Sequence, residues 1–431
     1  MKNNGLERVK ETLDNRIITK LKYVSSINGR IGFRGYTQND LVDEGDGAIT
    51  ISPSNIKGMN TDFSKCTYVS WYKYNESPEI KVCKGDIILV KTGSSYGKSA
   101  LIQNLPQPAT INPQLVVLKD IKINKKILFY FLQTDFVKRQ MDLAVIGGAI
   151  PTMTQVKIGD TILILPPISE QKVIAEFLDK KCGEVDALIA EIQQEIETLE
   201  QYKRSVITES VTKGLDPSVP MKDSGIDWLG MQPSQWEHYK GKYIFEQRNE
   251  RGNQIELQLL SPTQNYGVIP QTMYEEFSGM NAVKLNERVN LNILKTIHKG
   301  DYCISLRSFQ GGFEYSQYEG VVSPAYQVFY PTRAICEEYY KYLFKEKSFI
   351  AVMNSYTLSL RDGKNIAFSD FGNTMIPYPP IEEQQQIADY LDKKCKEIEE
   401  IIADKQSQIE TLESYKKSLI YEYVTGKKEV E

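Results

Sequence analysis

The glycine-rich segment from Gly93 to Ser99 carries residue types that bind phosphate in nucleotide-binding loops, and it follows an apolar run at Ile87–Val90 that predicts a strand. The phosphate-binding motif needs four residues between its glycines, and this segment has three. The shorter loop would not wrap phosphates with the same amides, and a proline-rich stretch follows instead of a long helix. We therefore expect no nucleotide site here. We predict a turn whose amides, with Lys91 and Lys98, meet a nucleic-acid backbone.

The other sets of residues that could do chemistry are incomplete. Two histidines, His238 and His298, and six scattered cysteines without a C-x-x-C pair are too few for a Cys/His metal site or a Ser/His/Asp set. The Asn-Pro-Pro-aromatic motif of adenine methyltransferases does not occur, and an isolated Glu79-x-Lys81 matches only the end of a nuclease signature. We predict a chain with no catalytic residues, no metal and no cofactor of its own.

Charge is distributed unevenly along the 431 residues. Residues 1–165 contain 22 Lys and Arg against 15 Asp and Glu, a charge of +7, whereas residues 217–375 contain 16 against 17, a charge of −1. The two remaining segments each carry −5. No apolar run has the form of a signal peptide or the roughly 18 residues of a membrane span. We expect a reduced, cytoplasmic protein whose first large segment can meet a phosphate backbone without repulsion.

The two acidic segments are copies of each other. The 47 residues from Pro166, which begin PPISEQ, align without a gap with the 47 residues from Pro379, which begin PPIEEQ, at an offset of 213. About 60% of the aligned positions are identical, far above chance for unrelated helices. The string LDKKC at residues 178–182, for example, recurs at residues 391–395. The chain is therefore a tandem duplication.

Each copy predicts one long helix that begins just after the Pro-Pro pair, because proline is excluded from a helix interior. Apolar residues then alternate four and three apart, which is the heptad spacing of a coiled-coil seam. The narrow stripe and the heavy charge favour pairing of the two copies over packing of each helix on its own domain. The seam positions are Val185, Ile189, Ile192, Ile196, Leu199 and Val206 with Lys203, and Ile398, Ile402, Ile409, Leu412 and Leu419 with Lys405 and Lys416.

The segments that precede the two helices are related more faintly. Lys84-Gly85-Asp86 resembles Lys299-Gly300-Asp301, and each segment mixes β-rich runs with a helix near 125–140 or 336–353. The two globular segments have diverged while the two long helices have not, which indicates that the globular segments bind different targets. We predict an α+β fold with mixed α/β domains at residues 1–165 and 214–378, the second including a linker, and long helices at residues 166–213 and 379–431.

Motifs in both halves resemble those of the specificity subunits of Type I restriction–modification systems. PPISEQ and PPIEEQ, each after a predicted strand and opening a long helix, look like the two conserved regions of that family. Further similar segments are MKDSGIDWLG at residues 221–230 with Pro233 and Trp236, Gly85–Ile88 with Gly93-Ser94, and Gly311-Gly312 with Val322-Ser323-Pro324. The first half lacks the Trp-containing opening segment and starts directly at Leu21–Val24, which we take as variation at the terminus unless an N-terminal piece is missing.

The resemblance implies two target recognition domains, each reading one half of a split sequence in double-stranded DNA. The long helices would run antiparallel with an internal pseudo-twofold, hold the domains apart and set the unread spacer. Two methyltransferase subunits carrying S-adenosylmethionine would dock on the helices, and two motor-nuclease subunits using ATP and Mg²⁺ would complete the restriction enzyme. Two alternatives stay open: a coiled-coil assembly protein that does not bind DNA, and a stand-alone nucleotide-dependent DNA enzyme.

The predicted DNA-binding residues suit base edges or phosphates and lie close to glycines. Arginine suits guanine, and Asn or Gln suits adenine, because each can make two hydrogen bonds to one base edge. For any one of them, a solvated surface group or a structural salt bridge is the alternative. In the first half they are Asn28, Arg30, Arg34, Lys91, Ser94, Tyr96 and Lys98, and in the second half Arg248, Arg251, Asn253, Arg307, Ser308, Gln310, Arg361, Lys364 and Asn365.

Overall fold

Two compact units make up the described part of the chain. Unit 1 contains the described residues up to Gln193 and those from Gln406 onward, and unit 2 contains those from Gln194 to Lys405. Each unit therefore combines one globular segment with a part of both long helices. The computed structural model describes residues 16–30, 32, 35–146, 150–252, 257–264, 266–279, 293–304, 312–356 and 366–430.

The globular segment of unit 1 contains many short strands. They are β1 (Ile17–Lys20), β2 (Ser26–Gly29), β3 (Leu41–Val42), β4 (Gly47–Ile51), β5 (Ile56–Lys57), β6 (Asn60–Thr61), β7 (Thr67–Ser70), β8 (Ile87–Val90), β9 (Ser99–Leu101), β10 (Ala109–Ile111), β11 (Leu115–Lys119) and β12 (Ile162–Leu165). The helices of its globular segment are α1 (Leu21–Val24), α2 (Trp71–Glu76), α3 (Lys125–Leu132), α4 (Asp135–Ala144) and α5 (Gln155–Gly159). The first long helix, α6 (Ile168–Lys213), begins in this unit.

Unit 2 likewise combines short strands with helices. Its strands are β13 (Met221–Asp223), β14 (Met231–Pro233), β15 (Glu237–Lys240), β16 (Phe245–Gln247), β17 (Leu260–Thr263), β18 (Gly267–Pro270), β19 (Lys295–Ile297), β20 (Tyr302–Ile304), β21 (Phe313–Tyr315), β22 (Gly320–Val322), β23 (Gln327–Pro331) and β24 (Met375–Tyr378). Its helices are α7 (Gln271–Ser278), α8 (Glu337–Leu343), α9 (Lys347–Ser355) and α10 (Phe368–Asn373), and the second long helix, α11 (Ile381–Val424), begins here.

The main sheets of the two units have the same topology. The order is β2-β11-β8-β9 in unit 1 and β16-β23-β20-β21 in unit 2, and all neighbouring strands are antiparallel. Unit 1 adds a second sheet, β10-β4-β7-β3, in which only β10 and β4 are parallel. The cores differ in composition: aliphatic side chains such as Leu89 and Val116 fill unit 1, whereas rings such as Phe245 and Phe329 fill unit 2. The predicted α+β fold with an internal repeat is confirmed.

Where the sequence suggests one helix after each main sheet, the structure has two. The Thr134 side chain accepts a hydrogen bond from the Val137 N–H and so begins a new helix, α4. In unit 2 the Glu346 carboxylate accepts from the Phe349 N–H and begins α9 in the same way. A side chain that accepts a hydrogen bond from a free N–H in the first turn favours the start of a helix at that point. Here it divides the single predicted helix into two.

The PPISEQ and PPIEEQ motifs hold each long helix to its globular segment. Gln171 is 1% exposed, accepts a hydrogen bond from the Asn124 N–H at 2.9 Å, and donates to the Pro166 carbonyl at 3.0 Å. Gln384, at the repeat offset, is fully buried and accepts from the Cys336 N–H at 2.9 Å while donating to the Pro379 carbonyl at 2.8 Å. In both copies one buried amide therefore satisfies two backbone groups that would otherwise be unpaired.

The aspartates of the two LDKKC strings make a second repeated contact. Asp179 accepts hydrogen bonds from the Tyr130 hydroxyl at 2.8 Å and from the Lys126 ammonium. Asp392 accepts from the Tyr342 hydroxyl at 2.6 Å and from the Lys341 ammonium at 3.0 Å. The repeated aspartates are thus explained by duplicated packing of helix on helix.

The long helices pair through the predicted heptad seam. Every seam position is buried or half-buried, while the residues immediately beside each one in the central turns are exposed. In unit 1 the pairing runs antiparallel, since the rings of Phe177 and Tyr423 are in contact, with centroids 4.5 Å apart, and Asp186 binds Lys416 at 2.6 Å. In unit 2 it is again antiparallel, because Glu195 binds Lys405 and Lys203 binds Glu399. The Asp186–Lys416 and Glu399–Lys203 pairs occupy equivalent positions at the offset of 213.

The first globular segment begins earlier than the sequence suggests. Its first strand, β1, precedes Leu21–Val24, where the sequence analysis places the start of the first half. β1 pairs with β12 as β15 pairs with β24, so Ile17–Lys20 takes the place of the segment that follows Trp236 in unit 2. Trp236 is fully buried against Gly214, just beyond the end of α6. The Arg16 guanidinium packs against Gly426, just beyond the end of α11. An arginine thus stands in unit 1 where the family-like tryptophan stands in unit 2.

Among the described helices, none is both long and apolar enough to cross a membrane.

Candidate nucleic-acid interface

In unit 1 the main sheet gathers several predicted residues at one edge. Gly29 at the end of β2 lies beside Val116, and Val90 at the end of β8 lies beside Leu115. Arg30 and the segments 91–98 and 112–114 therefore all adjoin the sheet at the ends of these strands. We call this the loop edge of unit 1. It brings together Asn28, Arg30 and the glycine-rich loop 91–98, which are far apart in sequence.

Unit 2 has a loop edge at the equivalent place. Gln247 at the end of β16 lies beside Phe329, and Ile304 at the end of β20 lies beside Gln327 and Phe313. The segment that contains Arg248 and Arg251 starts at this edge, and residues 305–312 join two strands that end there. The sequences of the corresponding segments differ between the units, although the strands that carry them are equivalent.

The glycine-rich loop of unit 1 is a turn between two strands. It connects β8 to β9, with Gly93 at φ +100° and Gly97 at φ +84°, a conformation that side chains disfavour. The Lys91 N–H donates to the Gln114 carbonyl at 2.8 Å, and the Gly97 N–H donates to the Val90 carbonyl at 2.9 Å. Because β9 follows the loop, no helix N-terminus stands over it, and the geometry differs from that of a nucleotide-binding loop.

The predicted side chains of this loop have different environments. Ser94 and Lys98 are exposed, whereas Lys91 is half-buried and its burial lowers its pKa. The Tyr96 hydroxyl donates to Asp142 at 2.7 Å, and its ring lies 3.7 Å from the Lys138 ammonium. Ser94 and Lys98 therefore offer free polar groups to a ligand, and Tyr96 is held in place by α4.

Arg30 points into the protein. It is 5% exposed, and its guanidinium donates to the Ile111 carbonyl at 3.2 Å and to the Thr110 hydroxyl at 3.1 Å. Burial lowers its pKa from the usual range. This geometry favours a structural role that fixes the start of segment 30–35. Asn28 is half-buried in β2, where its amide donates to the Ser26 hydroxyl at 3.3 Å.

Arg248 is also engaged within the protein. Its guanidinium binds both carboxylate oxygens of Asp301, at 2.7 and 2.9 Å, and donates to Glu250 at 2.8 Å. Hydrogen bonds from His298 and Arg248 lower the pKa of Glu250. Arg251 is exposed and donates to the Ile293 carbonyl at 3.2 Å, which leaves most of its guanidinium facing solvent. Of these two arginines, Arg251 is the one placed to meet a ligand.

The remaining predicted residues lie outside the described part of the chain. For them the DNA-contact assignment stays a prediction. They are Arg34, Asn253, Arg307, Ser308, Gln310, Arg361, Lys364 and Asn365.

One segment at the loop edge of unit 1 was not predicted from sequence. The Gly93 N–H donates to the Pro151 carbonyl at 2.9 Å, and the Met153 N–H donates to the Lys91 carbonyl at 2.8 Å. This segment, which includes residues 145–153, joins α4 to α5. In sequence Arg361, Lys364 and Asn365 have the equivalent place between α9 and α10. The repeat offset of 213, applied to those three residues, was the signal that would have identified it.

Comparison with known proteins gives the same family for both halves. The family model described as "Type I restriction modification DNA specificity domain" matches residues 55–198 and 233–411. A putative type I restriction enzyme MjaX specificity subunit of Methanocaldococcus jannaschii is 26% identical over 88% of this chain and 85% of its own length. The type I restriction enzyme MjaVIII specificity subunit of the same organism is 28% identical over 86% and 85%.

A solved structure agrees with this fold. It belongs to a study of the structural basis of complex assembly and conformational transition of the type I R-M system, and the similar chain has a TM-score of 0.65 at 14% identity. The match covers 96% of this chain and 98% of that chain. With the family model matched in both repeats, and with both conserved motifs accounted for by the packing of the long helices, the chain belongs to the family of type I restriction–modification DNA specificity subunits.

Proposed function

We propose that each unit reads one half of a bipartite DNA sequence through its loop edge. The observation that carries this proposal is the pair of equivalent sheets that present unrelated segments at the same edge. Equivalent sheets that carry different loops are suited to two domains that recognise different DNA sequences. Exposed Ser94 and Lys98 in unit 1 and Arg251 in unit 2 supply donors for phosphates and base edges.

Exchange of the loops tests this proposal. Segments 30–35, 91–98 and 145–153 are replaced together by the corresponding segments of a relative, and the modified sequence is determined by methylome sequencing in cells that supply the partner subunits. One half-site is expected to change while the other stays as it was. The matched variant exchanges segments 248–254, 305–312 and 358–366 and is expected to change the other half-site. If both half-sites change together, or neither changes, the two units are not separate readers.

The long helices are the proposed docking sites for two methyltransferase subunits. Large apolar side chains are exposed in pairs at the repeat offset: Ile168 and Ile381 are 71% and 41% exposed, Leu188 and Ile401 are 48% and 45%, and Tyr202 and Tyr415 are 48% and 52%. Solvent-exposed apolar side chains are typical of protein interfaces, and their repetition in both helices suggests that two copies of one partner bind there. Two motor-nuclease subunits would complete the restriction enzyme.

Charge placed at one pair of these positions tests the docking. Leu188→Glu or Ile401→Glu alone is expected to leave one methyltransferase subunit bound, and the double variant none, as measured by native mass spectrometry. Thr198→Glu with Thr411→Glu is the matched control, because these exposed positions are also related by the offset but carry no large apolar group. Full binding of two subunits by the double variant would contradict the assignment.

In the proposed complex this chain supplies recognition, and its partners supply the chemistry. Among the described residues, no group of three His, Cys, Asp or Glu side chains could hold a metal ion. In this proposal S-adenosylmethionine, ATP and Mg²⁺ belong to the partner subunits. Methyl transfer is expected only when a methyltransferase subunit is added, and transfer by the highly purified chain alone would contradict the proposal.

A further inference from the structure

Two exposed isoleucines stand at the loop edge of unit 1. Ile146 is 58% exposed and Ile150 is 64% exposed. Neither contributes to the hydrophobic clusters of the unit, so folding does not require an apolar side chain at either position. Exposure of an aliphatic side chain to water is unfavourable in free energy, and a ligand that covered the side chain would remove this unfavourable exposure.

Backbone hydrogen bonds hold Ile146 and the two residues after Ile150 against the glycine-rich loop. The Ile146 N–H donates to the Thr152 carbonyl at 2.9 Å, and the Thr152 N–H donates to the Ile146 carbonyl at 3.2 Å. Thr152 in turn makes an antiparallel bridge to Thr92, and the Pro151 carbonyl accepts from the Gly93 N–H. The isoleucines are thus continuous with the surface that exposes Ser94 and Lys98.

The geometry points to a role for Ile146 and Ile150 in reading thymine. We propose that these side chains contact the C5-methyl group of thymine in the half-site bound by unit 1, an inference that rests on the proposed function of the loop edge. Thymine is the base that presents a methyl group in the major groove, and aliphatic contact is the way in which proteins recognise it.

Removal of the methyl group from the DNA tests this directly. Once the half-site is known, duplexes are made in which uracil replaces each of its thymines in turn, and dissociation constants are measured for the complex with the methyltransferase subunits. At one or two positions uracil is expected to weaken binding about fourfold, the effect of one buried methyl group. Ile146→Ala or Ile150→Ala is expected to bind the thymine duplex more weakly and to lose the sensitivity to uracil.

A third exposed isoleucine, Ile162, provides a matched control. Ile162→Ala removes an exposed isoleucine of the same unit that lies on β12, and it is expected to keep full sensitivity to uracil. The inference is overturned by a half-site without any thymine, by equal binding of uracil and thymine duplexes, or by isoleucine variants that lose methyltransferase binding rather than DNA affinity. Because the loop exchange reports separately on which unit reads which half-site, failure of this inference can be distinguished from failure of the proposed function.

Discussion

Replacement of Gln384 by methionine removes two hydrogen bonds while keeping the length of the side chain. Gln384 is fully buried and serves the Cys336 N–H and the Pro379 carbonyl, so Gln384→Met leaves both backbone groups unpaired in the interior. An unpaired buried group costs about 1–3 kcal/mol, and the total loss in the free energy of unfolding is expected to be about 3 kcal/mol. For a unit of about 200 residues, this corresponds to a fall of about 6–12 °C in Tm.

The measurement is calorimetry of the purified chain, with Gln171→Met as the equivalent change in unit 1. Each variant is expected to lower the transition of its own unit. Gln385→Met is the control, because the neighbouring Gln385 is exposed and donates to the exposed Asp389, so a change within about 0.5 kcal/mol is expected.

The result separates two explanations of the PPIEEQ motif. If Gln384→Met and Gln385→Met unfold alike, the buried hydrogen bonds do not hold the helix to its domain. If, in addition, Gln384→Met fails to assemble with the methyltransferase subunits, the motif acts through a partner and the structural explanation is refuted.

Three further outcomes are expected. Burial raises the pKa of Glu314 from 4.5 to about 7, so the folded state holds its proton more firmly than the unfolded chain. The stability of unit 2 should therefore fall, by at most about 3 kcal/mol, as the pH rises from about 4.5 to about 7, and Glu314→Gln should abolish this fall in denaturant titrations at several pH values. Heptads inserted after Glu195 and after Lys405, which face each other, should lengthen the paired helices by about 10 Å and the spacer seen in methylomes by about three base pairs. An unchanged spacer with methylation intact would mean that the helices do not measure it. Binding to half-site duplexes should depend more steeply on salt for unit 1 than for unit 2, because residues 1–165 carry 22 basic against 15 acidic residues and residues 217–375 carry 16 against 17; equal slopes would count against this reasoning.

Much of the candidate interface could be predicted at the level of segments but not of single residues. The glycines beside Asn28, Arg30 and Lys98 predicted turns, and the structure brings these segments to the loop edge of unit 1, because glycine permits the turns that follow strands. The same pattern could not show that Arg30 is buried among Thr110 and Ile111 or that Arg248 is bound by Asp301, since those partners are 53 or more residues away in sequence. Exposed Ile146 and Ile150 were missed because an apolar residue type predicts a core position.

The sequence by itself determined the duplication, the two long helices and their seam. These features depend on local periodicity, since the spacing of Val185, Ile196 and Val206 defines one face of a helix whatever lies against it. Only the tertiary structure decided which strand ends meet at the loop edge, which arginines turn inward, and why Gln171 and Gln384 recur. Each of these depends on pairing between segments distant in the chain. Burial and hydrogen bonding are settled when those segments come together, and no local pattern encodes them.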